Sequence, residues 1–466
     1  MLFERIESEG LAHYSYLIGE KDQAIVIDPR RDADIYFQIA SRNGYRITDI
    51  LETHRNEDYV VGSVELAART GAQVWHADDQ FGYQYGFAVQ DRQQWELGSY
   101  VLEAIHTPGH TPGHMSYLLR TENNTPWILF CGDTLFAGDI GRVDLLGEAK
   151  LAENAGILFD TLYQKILPMG DQVILCPAHG AGSVCGSIIS DRTLTTIGLE
   201  RKLNGMLQMK SREEFVKRAA VMHERPPYFS HMEKLNTQGP SLLDEQSEIM
   251  PLAWDQFEQL SDGAFVLDTR NPHSFATSHI PHSISIWRDG LSSFAGWFVP
   301  FHLPILLVGD SNDCSLEVNQ LRRMGYDNIA GFLAGGIASW ESAGQKTESI
   351  KTTTVHHFSH IVDKQLPVWT LDVRGSGELV SEGKIAGAHH LHITQINRYM
   401  ETIPRDQPVY IFCGSGKRSM IAASILKAQR WVDLTVVLGG TSGWQSIDRP
   451  IDEKQPEEEI VSALLS

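Results

Sequence analysis

The feature that most constrains this sequence is a repeat in its second half. LDTR at 267–270 recurs as LDVR at 371–374, and AGGIASW, ending at Trp340, recurs as LGGTSGW, ending at Trp444. Both motifs are displaced equally, since 372 − 268 and 444 − 340 each equal 104 residues. A repeat this long indicates a duplicated domain, because solenoid units run about 20–45 residues. In each copy two apolar strands lead to a helix and a Gly-Gly turn, which predicts a small parallel α/β sheet.

Length and composition leave room for another domain before the repeat. The chain has 466 residues, and at roughly 150 residues per domain we expect about three domains. Its 39 basic and 59 acidic side chains give a formal charge of −20, which disfavours nucleic acid and anionic membrane surfaces as partners. The five cysteines contain no CxxC pair, which argues against a disulfide framework or a structural zinc site. Without a signal-peptide pattern or a spanning apolar run, we expect a cytoplasmic protein.

Three stretches of the N-terminal part carry residues suited to binding a metal. THRNEDYVVGS, HTPGHTPGH and FCGDTLF supply His54, His110 and Asp133, each in the loop after a predicted strand. Two imidazoles and one carboxylate can occupy one face of a cation and leave the opposite positions open, as catalysis requires. The pattern therefore predicts a catalytic metal site.

Four motifs here resemble those of the metallo-β-lactamase superfamily: the His motif at 54–58, the TPGHT loop, GD at 132–133 and CPAHG at 176–180. Within the superfamily the pattern is most similar to the persulfide dioxygenases, whose GRVD-like stretch also resembles residues 141–144. The resemblance implies an αββα sandwich over residues 1–240 and one Fe(II) per chain, bound by His54, His110 and Asp133. The choice of iron rests on the resemblance alone.

The sequence departs from the superfamily's HxHxDH signature at two positions. Asn56 replaces the second His and Tyr59 the last, and neither an amide nor a phenol readily replaces an imidazole ligand at neutral pH. We therefore predict that Asn56 and Tyr59 lie off the metal, and a two-metal hydrolase is disfavoured. Asp58 and His179 remain. They either orient the ligands or form a second metal site with Asp133.

One cationic residue beside these motifs has two interpretations. Arg142 either helps to hold an anionic thiol substrate or pairs with Asp144 to stabilise a turn. The cysteine of CPAHG, Cys176, could lie near the metal, but core packing is the simpler interpretation.

The second repeat contains a loop suited to sulfur chemistry. In VYIFCGSGKRSMIAASIL, Cys413 follows an apolar strand and precedes a helix that we expect to begin near Ser419. The loop glycines let backbone N–H groups turn toward the sulfur, and the helix N-terminus adds positive potential, so the thiolate is favoured. We predict Cys413 and Arg418 as catalytic residues. The substrate-binding residues predicted around them are Gly414, Ser415, Gly416 and Lys417.

This loop, together with LDVR and the LGGTSGW ending, resembles the rhodanese family, whose catalytic cysteine carries a persulfide. The resemblance implies an active domain over 355–450 and an inactive one over 246–346, with a C-terminal tail at 451–466. In the first copy Gly309 and Cys314 stand at the positions of the nucleophile and the arginine, since 413 − 104 = 309 and 418 − 104 = 314. We expect a scaffold or docking module there, with Cys314 a packed thiol.

The two resemblances together imply one enzyme with two chemistries. A small thiol persulfide, such as glutathione persulfide, would react with O₂ to give thiol and sulfite, and Cys413 would move sulfane sulfur to or from sulfite or thiosulfate. One alternative is a metal-dependent thioester hydrolase similar to glyoxalase II with an appended sulfurtransferase, which bound zinc would favour. The other is a sulfur carrier or scaffold with a structural metal. Homo-oligomerisation, the thiol carrier and the direction of transfer stay open.

Overall fold

A computed structural model describes residues 1–186, 188–209, 211–243, 249–310 and 312–451. The chain divides into two compact units, Met1–Ser247 with Asn319–Asp327, and Glu248–Val318 with Asn328–Ser466. The predicted tail at 451–466 lies outside the described residues from 452 onward. Among the described helices, none has both the length and the apolar composition that crossing a membrane requires.

Two sheets form the centre of the first unit. The strands of the first sheet, which pair in chain order, are β1 (Leu2–Ser8), β2 (His13–Glu20), β3 (Gln23–Ile27), β4 (Arg46–Leu51), β5 (Gln73–His76) and β6 (Phe87–Ala88). The strands of the second are β7 (Gln94–Leu97), β8 (Tyr100–His106), β9 (Met115–Arg120), β10 (Pro126–Gly132), β11 (Ile174–Pro177) and β12 (Thr195–Thr196). In the second sheet β12 and β7 form the edges, and the order is β12-β11-β10-β9-β8-β7.

The helices of this unit are α1 (Asp34–Arg42), α2 (Ser63–Thr70), α3 (Leu151–Thr161), α4 (Ile197–Leu203), α5 (Arg212–Ala219) and α6 (Phe229–Gln238). Neighbouring strand residues point to opposite faces of a sheet, and both faces are apolar here. Ile18 and Phe130 belong to a core cluster formed by both sheets, whereas Leu17 packs in a cluster with α1 and Leu129 in one with α3. Each sheet is therefore covered on both faces.

The second half of the chain contains two sheets of identical design. The strands of the first are β13 (Pro251–Leu252), β14 (Phe265–Asp268), β15 (Ile284–Ser285), β16 (Ile305–Val308) and β17 (Ile329–Leu333). The strands of the other are β18 (Lys351–Thr354), β19 (Trp369–Asp372), β20 (His389–His390), β21 (Val409–Phe412) and β22 (Leu434–Leu438). The orders are β13-β17-β16-β14-β15 and β18-β22-β21-β19-β20, and the registered pairs are parallel.

Helices alternate with these strands. They are α7 (Trp254–Ser261), α8 (Pro272–Thr277), α9 (Leu291–Phe298), α10 (Ser315–Arg323), α11 (Gly336–Ser342), α12 (Val355–Asp363), α13 (Ser376–Glu382), α14 (Ile396–Tyr399), α15 (Lys417–Ala428) and α16 (Gly440–Ser446). Strands β16 and β21 are displaced by the same 104 residues as the sequence motifs. The predicted fold class, an αββα sandwich followed by two parallel-sheet α/β domains, is confirmed.

Candidate functional site

The three residues predicted as metal ligands converge at the ends of strands. His54 lies just past β4, His110 in the loop after β8, and Asp133 directly after β10. Asp133 Oδ2 is 3.7 Å from His54 Nε2 and 3.5 Å from His110 Nε2. All three side chains are buried, and their donor atoms lie within 4.8 Å of one another.

Hydrogen bonds to the far side of each imidazole determine which nitrogen faces this cluster. His110 Nδ1 lies 2.8 Å from the carbonyl oxygen of Arg142, which can only accept, so Nδ1 carries the proton. The hydroxyl of Thr53 donates to Asp28 Oδ2 at 2.8 Å, and its oxygen then accepts from His54 Nδ1 at 2.8 Å. Both Nε2 atoms are therefore unprotonated, and both are buried without a hydrogen-bond partner in the described part of the chain.

This donor set fits a metal ion. Burial lowers the pKa of both His54 and His110, so both imidazoles stay neutral. Burial alone would raise the pKa of Asp133, but the imidazole of His179 and then that of His54 lower it well below its usual range. Two nitrogen lone pairs and an anionic oxygen thus face one another with no proton between them. Their separations suit donors that each lie about 2.0 to 2.2 Å from a shared cation.

A glycine allows the backbone to approach this site. Gly132 has φ of +49°, and a Cβ atom there would lie 2.4 Å from His114 Nε2 and 2.7 Å from Thr53 Oγ1. The next backbone N–H, that of Asp133, donates to His114 Nε2 at 3.1 Å. The GD pair of the sequence motif is therefore explained by geometry, because any larger residue before Asp133 would displace the groups that orient the site.

The residues left open as orienting groups or a second site lie beside the first cluster. His179 Nδ1 is 2.8 Å from Asp133 Oδ1, and its Nε2 is 3.1 Å from Asp58 Oδ2. Although burial alone would lower it, the carboxylates of Asp133 and Asp58 raise the pKa of His179 well above its usual value. Asp58, His179 and Cys185 form a further buried group with donor atoms within 4.8 Å. Cys185 was not identified from sequence, although it follows CPAHG in the same loop.

The remaining sequence-selected residues of this domain are buried but directed elsewhere. Asn56 Nδ2 donates to the carbonyl of His54 at 3.3 Å, and the ring of Tyr59 packs against His13 with centroids 3.9 Å apart. Arg142 makes a two-point pair with Asp144, with N···O distances of 2.7 and 2.8 Å. Its guanidinium therefore stabilises the turn, while its carbonyl orients His110.

One cysteine and one glutamate complete this region. Cys176 lies in the apolar core between the two sheets, as the simpler interpretation held. Glu57 was missed, although it belongs to the His motif: it is buried, and its Oε2 lies 4.0 Å from His110 Nε2. Burial raises the pKa of Glu57 to about 8, which favours a protonated carboxyl facing the metal ligands at neutral pH.

The cysteine loop of the second repeat is closed around its sulfur. Cys413 follows β21 directly and is fully buried, and Gly416 N donates to its Sγ at 3.1 Å. Gly416 has φ of +101°, which lets its N–H turn inward at the start of α15. That helix begins at Lys417 rather than near Ser419, because the residue in the left-handed conformation ends the loop two residues earlier. Ser415 and Lys417 are exposed.

Arg418 has a partner that the sequence analysis missed. Its Nη1 and Nη2 donate to the two carboxylate oxygens of Glu378 at 2.5 and 2.7 Å. Glu378 belongs to α13, and its Oε2 also accepts from Gly375 N at 2.9 Å. The repeat held a usable signal, since 378 − 104 = 274 is Ser274, so this acid is specific to the copy that contains Cys413.

In the first repeat the equivalent loop has different chemistry. Gly309 follows β16 as Cys413 follows β21, and Asp310 and Asp313 are exposed beyond it. Cys314 is buried, and burial raises the pKa of its thiol to about 12. The thiol is therefore protonated and packed, as predicted.

Comparison with known proteins identifies the domains. A family model described as Metallo-beta-lactamase superfamily matches residues 9–179, and one described as Rhodanese-like domain matches 253–343 and again 354–447. The hydroxyacylglutathione hydrolase of Francisella tularensis subsp. novicida is 33% identical over 175 residues, 37% of this chain. The chain spans 64% of the length of that relative.

Two further matches extend over more of the chain. The persulfide dioxygenase ETHE1 of Bos taurus is 28% identical over 238 residues, which are 50% of this chain and 80% of that protein. A solved metallo-beta-lactamase structure from Staphylococcus aureus subsp. aureus COL has a TM-score of 0.64 at 29% identity and covers 72% of this chain and 99% of its own. Relatives with different activities match this chain at similar identity, so the identities do not assign the reaction.

Proposed function

We propose that this chain, which joins a metallo-β-lactamase superfamily domain to two rhodanese-like domains, oxidises small thiol persulfides with O₂ and transfers sulfane sulfur at Cys413. The observation that carries the proposal is the donor set of the first domain. His54, His110 and Asp133 face one another with unprotonated donors, whereas Asn56 and Tyr59 occupy two imidazole positions that a two-metal hydrolase uses. Three ligands on one face leave room for a persulfide and O₂ together.

The proposed oxidation is RSSH + O₂ + H₂O → RSH + SO₃²⁻ + 2H⁺, in which the sulfane sulfur loses four electrons and O₂ gains them. An Fe(II) ion held by His54, His110 and Asp133 would supply the redox chemistry that this reaction needs. Thr53 and the Arg142 carbonyl hold the two imidazoles in the ligating tautomer. His179 keeps a proton against Asp133 Oδ1, which orients the carboxylate.

The proposed transfer step takes place at the second site. The Cys413 thiolate attacks the outer sulfur of thiosulfate, the new bond is Cys413 Sγ–S, and sulfite leaves with the electron pair of the broken S–S bond. The reverse step returns that sulfur to sulfite and regenerates the thiolate. Sulfite is the shared compound of the two reactions, because the first releases it and the second releases or consumes it.

A second candidate function is metal-dependent thioester hydrolysis, and one specific observation favours it. Asp58, His179 and Cys185 form another buried group with metal-ligand spacing beside the first. Two filled metal sites would suit water activation rather than O₂ chemistry. The hydroxyacylglutathione hydrolase relatives have this second type of activity in their names.

Oxygen uptake by the anaerobically purified, iron-loaded full chain tests the proposal. With glutathione persulfide we expect uptake, sulfite formation and about one iron per chain, and no hydrolysis of a glutathione thioester. His110→Ala should lower oxygen uptake at least about 100-fold, because one of three ligands is lost. Thiosulfate-to-cyanide transfer by that variant should stay within a few-fold of wild type, as expected for independent sites in separate domains.

The matched control is His106→Ala, which removes an imidazole from the same His-rich motif but not from the donor set. His106 Nε2 lies 3.0 Å from the carbonyl of Pro112 and is not a member of the cluster. Oxygen uptake should survive this change within a few-fold. Thioester hydrolysis with two zinc ions per chain and no oxygen uptake would replace the proposal with the second candidate.

A further inference from the structure

We propose that Glu378 sets the donor preference of the Cys413 loop, making it discriminate against the doubly charged thiosulfate relative to singly charged thiol persulfides. The inference rests on the proposed sulfur transfer at Cys413, in which the thiolate attacks the outer sulfur of the donor. The donor's S–S bond breaks, and its electron pair leaves on sulfite when the donor is thiosulfate or on the thiolate RS⁻ when it is a thiol persulfide. Four observations carry it: the geometry of the Glu378–Arg418 pair, its position at the loop, the resulting charge, and its absence from the first repeat.

Glu378 and Arg418 form a two-point ion pair. Arg418 donates to both carboxylate oxygens of Glu378, at 2.5 and 2.7 Å. The side chains are 23% and 32% exposed, so the pair is reached by solvent but not surrounded by it. Burial alone would raise the pKa of Glu378, but the hydrogen bonds from Arg418 lower it below its usual value. The carboxylate is therefore charged at neutral pH.

The carboxylate of Glu378 lies beside the loop that contains Cys413. A Cβ placed on Gly414, the residue after Cys413, would lie 3.4 Å from Arg418 Nη2 and 3.8 Å from Glu378 Oε1. The hydrogen bonds to Glu378, and then the charge of Cys413, hold the pKa of Arg418 above its usual value. A donor that approaches Cys413 Sγ therefore meets the pair, and not the arginine alone.

The charge available to an anionic donor follows from a short sum. Beside the Cys413 thiolate, Lys417 and Arg418 contribute two positive charges, and the carboxylate of Glu378 cancels one of them. Thiosulfate carries −2 at neutral pH, whereas the persulfide of a neutral thiol carries −1. Coulomb energies scale with charge, so the carboxylate disfavours thiosulfate about twice as strongly in free energy as the persulfide.

Comparison with the first repeat distinguishes the Glu378–Arg418 pair from the residues that maintain the fold. Both repeats keep a buried Asp–Arg pair after the equivalent strand, Asp268 with Arg270 and Asp372 with Arg374. At the positions of Glu378 and Arg418 the first repeat has Ser274 and Cys314. The acid is absent where the nucleophile is absent, which ties it to the loop chemistry rather than to the architecture.

Glu378→Gln in the full chain tests the proposal, because the amide oxygen still accepts from Arg418 while the charge is removed. The assay is thiocyanate formation from cyanide with two donors, thiosulfate and the persulfide of 2-mercaptoethanol. We expect kcat/KM to rise about threefold for the persulfide and about tenfold for thiosulfate. The rise is larger for thiosulfate because twice the charge doubles the change in free energy. The difference should shrink as ionic strength increases.

Two matched variants complete the design. Glu382→Gln removes the same charge from the same helix, but Glu382 pairs with Arg374 at 3.0 Å rather than with Arg418, so the donor ratio should stay at the wild-type value. Glu378→Asp keeps the charge and shortens the side chain, so it should preserve the discrimination against thiosulfate. If Glu378→Gln melts at a much lower temperature than wild type, Glu378→Asp provides a second test of the donor ratio.

The outcomes are distinct. Equal losses of kcat/KM for both donors in Glu378→Gln would make Glu378 a positioning residue for Arg418 and overturn the proposal. An unchanged donor ratio, or the same change of ratio in Glu382→Gln, would overturn it as well. Failure of the wild-type chain to transfer sulfur from either donor would instead contradict the proposed function, on which the inference rests.

Discussion

The two rhodanese-like repeats share one architecture and differ in the loop that follows the same strand. Their sheets have the same strand order, and each holds a buried Asp–Arg pair with an N···O distance of 2.6 or 2.8 Å. Each arginine also donates to a backbone carbonyl, that of Ser278 or Gly383. The groups that stabilise the fold are therefore retained in both copies, whereas those around the sulfur are found in one.

The loop residues show how local this difference is. The second copy has two glycines and two cations after Cys413, and the backbone N–H of Gly416 donates to the sulfur. The other copy has Asp310 and Asp313 on the equivalent loop, which oppose a thiolate and its anionic donors. The parallel sheet therefore fixes where a nucleophile would stand, and the six loop residues determine whether the backbone and the charges there suit a thiolate.

The largest expected effect in this comparison is that of Cys413→Ser. A serine hydroxyl keeps the shape of the loop but stays protonated at neutral pH and cannot carry a persulfide, so transfer to cyanide should fall by more than about 10³-fold. Oxygen uptake with a small persulfide should persist within a few-fold, because the candidate metal ligands lie in another domain with its own core.

Thiocyanate formation and oxygen consumption measured on the same preparation check this prediction. If the second domain acts after the oxidation, wild type should yield thiosulfate and the variant should accumulate sulfite. Loss of both activities in a variant that still melts cooperatively would contradict the two-site arrangement. Residual transfer at a tenth of the wild-type rate would show that the first repeat also transfers sulfur.

A smaller effect distinguishes the stability of the two repeats at low pH. His279 of the first repeat is 1% exposed, and burial lowers its pKa to about 4. A lowered histidine pKa adds stability that is fully present above the unfolded value of 6.5 and is lost progressively as the pH falls from 6.5 to 4. The shift corresponds to about 3 kcal/mol between pH 7 and pH 4.

Hydrogen exchange of β14 and β16 at pH 7 and pH 5 measures this contribution. The second repeat has Gly383 at the position of His279, since 279 + 104 = 383, so β19 and β21 should lack this part of the pH dependence. His279→Gln should reduce the dependence of β14 and β16 on pH. Equal pH dependence in wild type and variant would contradict the assignment.

Much of the fold could be predicted from sequence because its signals are local. Strands β16 and β21 are separated by the same 104 residues as the sequence motifs. Strands β10 and β21 are apolar runs. Helix α15 begins two residues before the predicted start, because Gly416 ends the loop in the left-handed conformation with its N–H directed to the Cys413 sulfur. Such a contact has no periodicity that a sequence could show.

The site was predictable to the extent that its residues follow strands. His54, His110 and Asp133 were found this way, since strand ends of packed sheets bring their loops together. Cys185, Glu57 and Glu378 were not, because each reaches the site through tertiary packing from a loop or helix whose own pattern is ordinary. Glu378 could have been found by aligning the two repeats, where it stands opposite Ser274.

The smallest expected effect is a null result, obtained by placing a thiol where the first repeat lacks one. Gly309→Cys, made in the Cys413→Ser background, puts a cysteine directly after β16 in the position that Cys413 occupies after β21. We expect thiocyanate formation below about 1% of wild type, because Asp310 and Asp313 raise the pKa of a thiol beside them and position 314 holds a cysteine instead of an arginine.

The control is alkylation of the new cysteine by iodoacetamide between pH 7 and pH 10. A new thiol that reacts only at high pH, in a chain that melts as wild type does, would show that it is accessible but not activated. Transfer at several per cent of the wild-type rate would mean that the strand end and the sheet suffice, and that the glycines and cations around Cys413 add less than the comparison assigns to them.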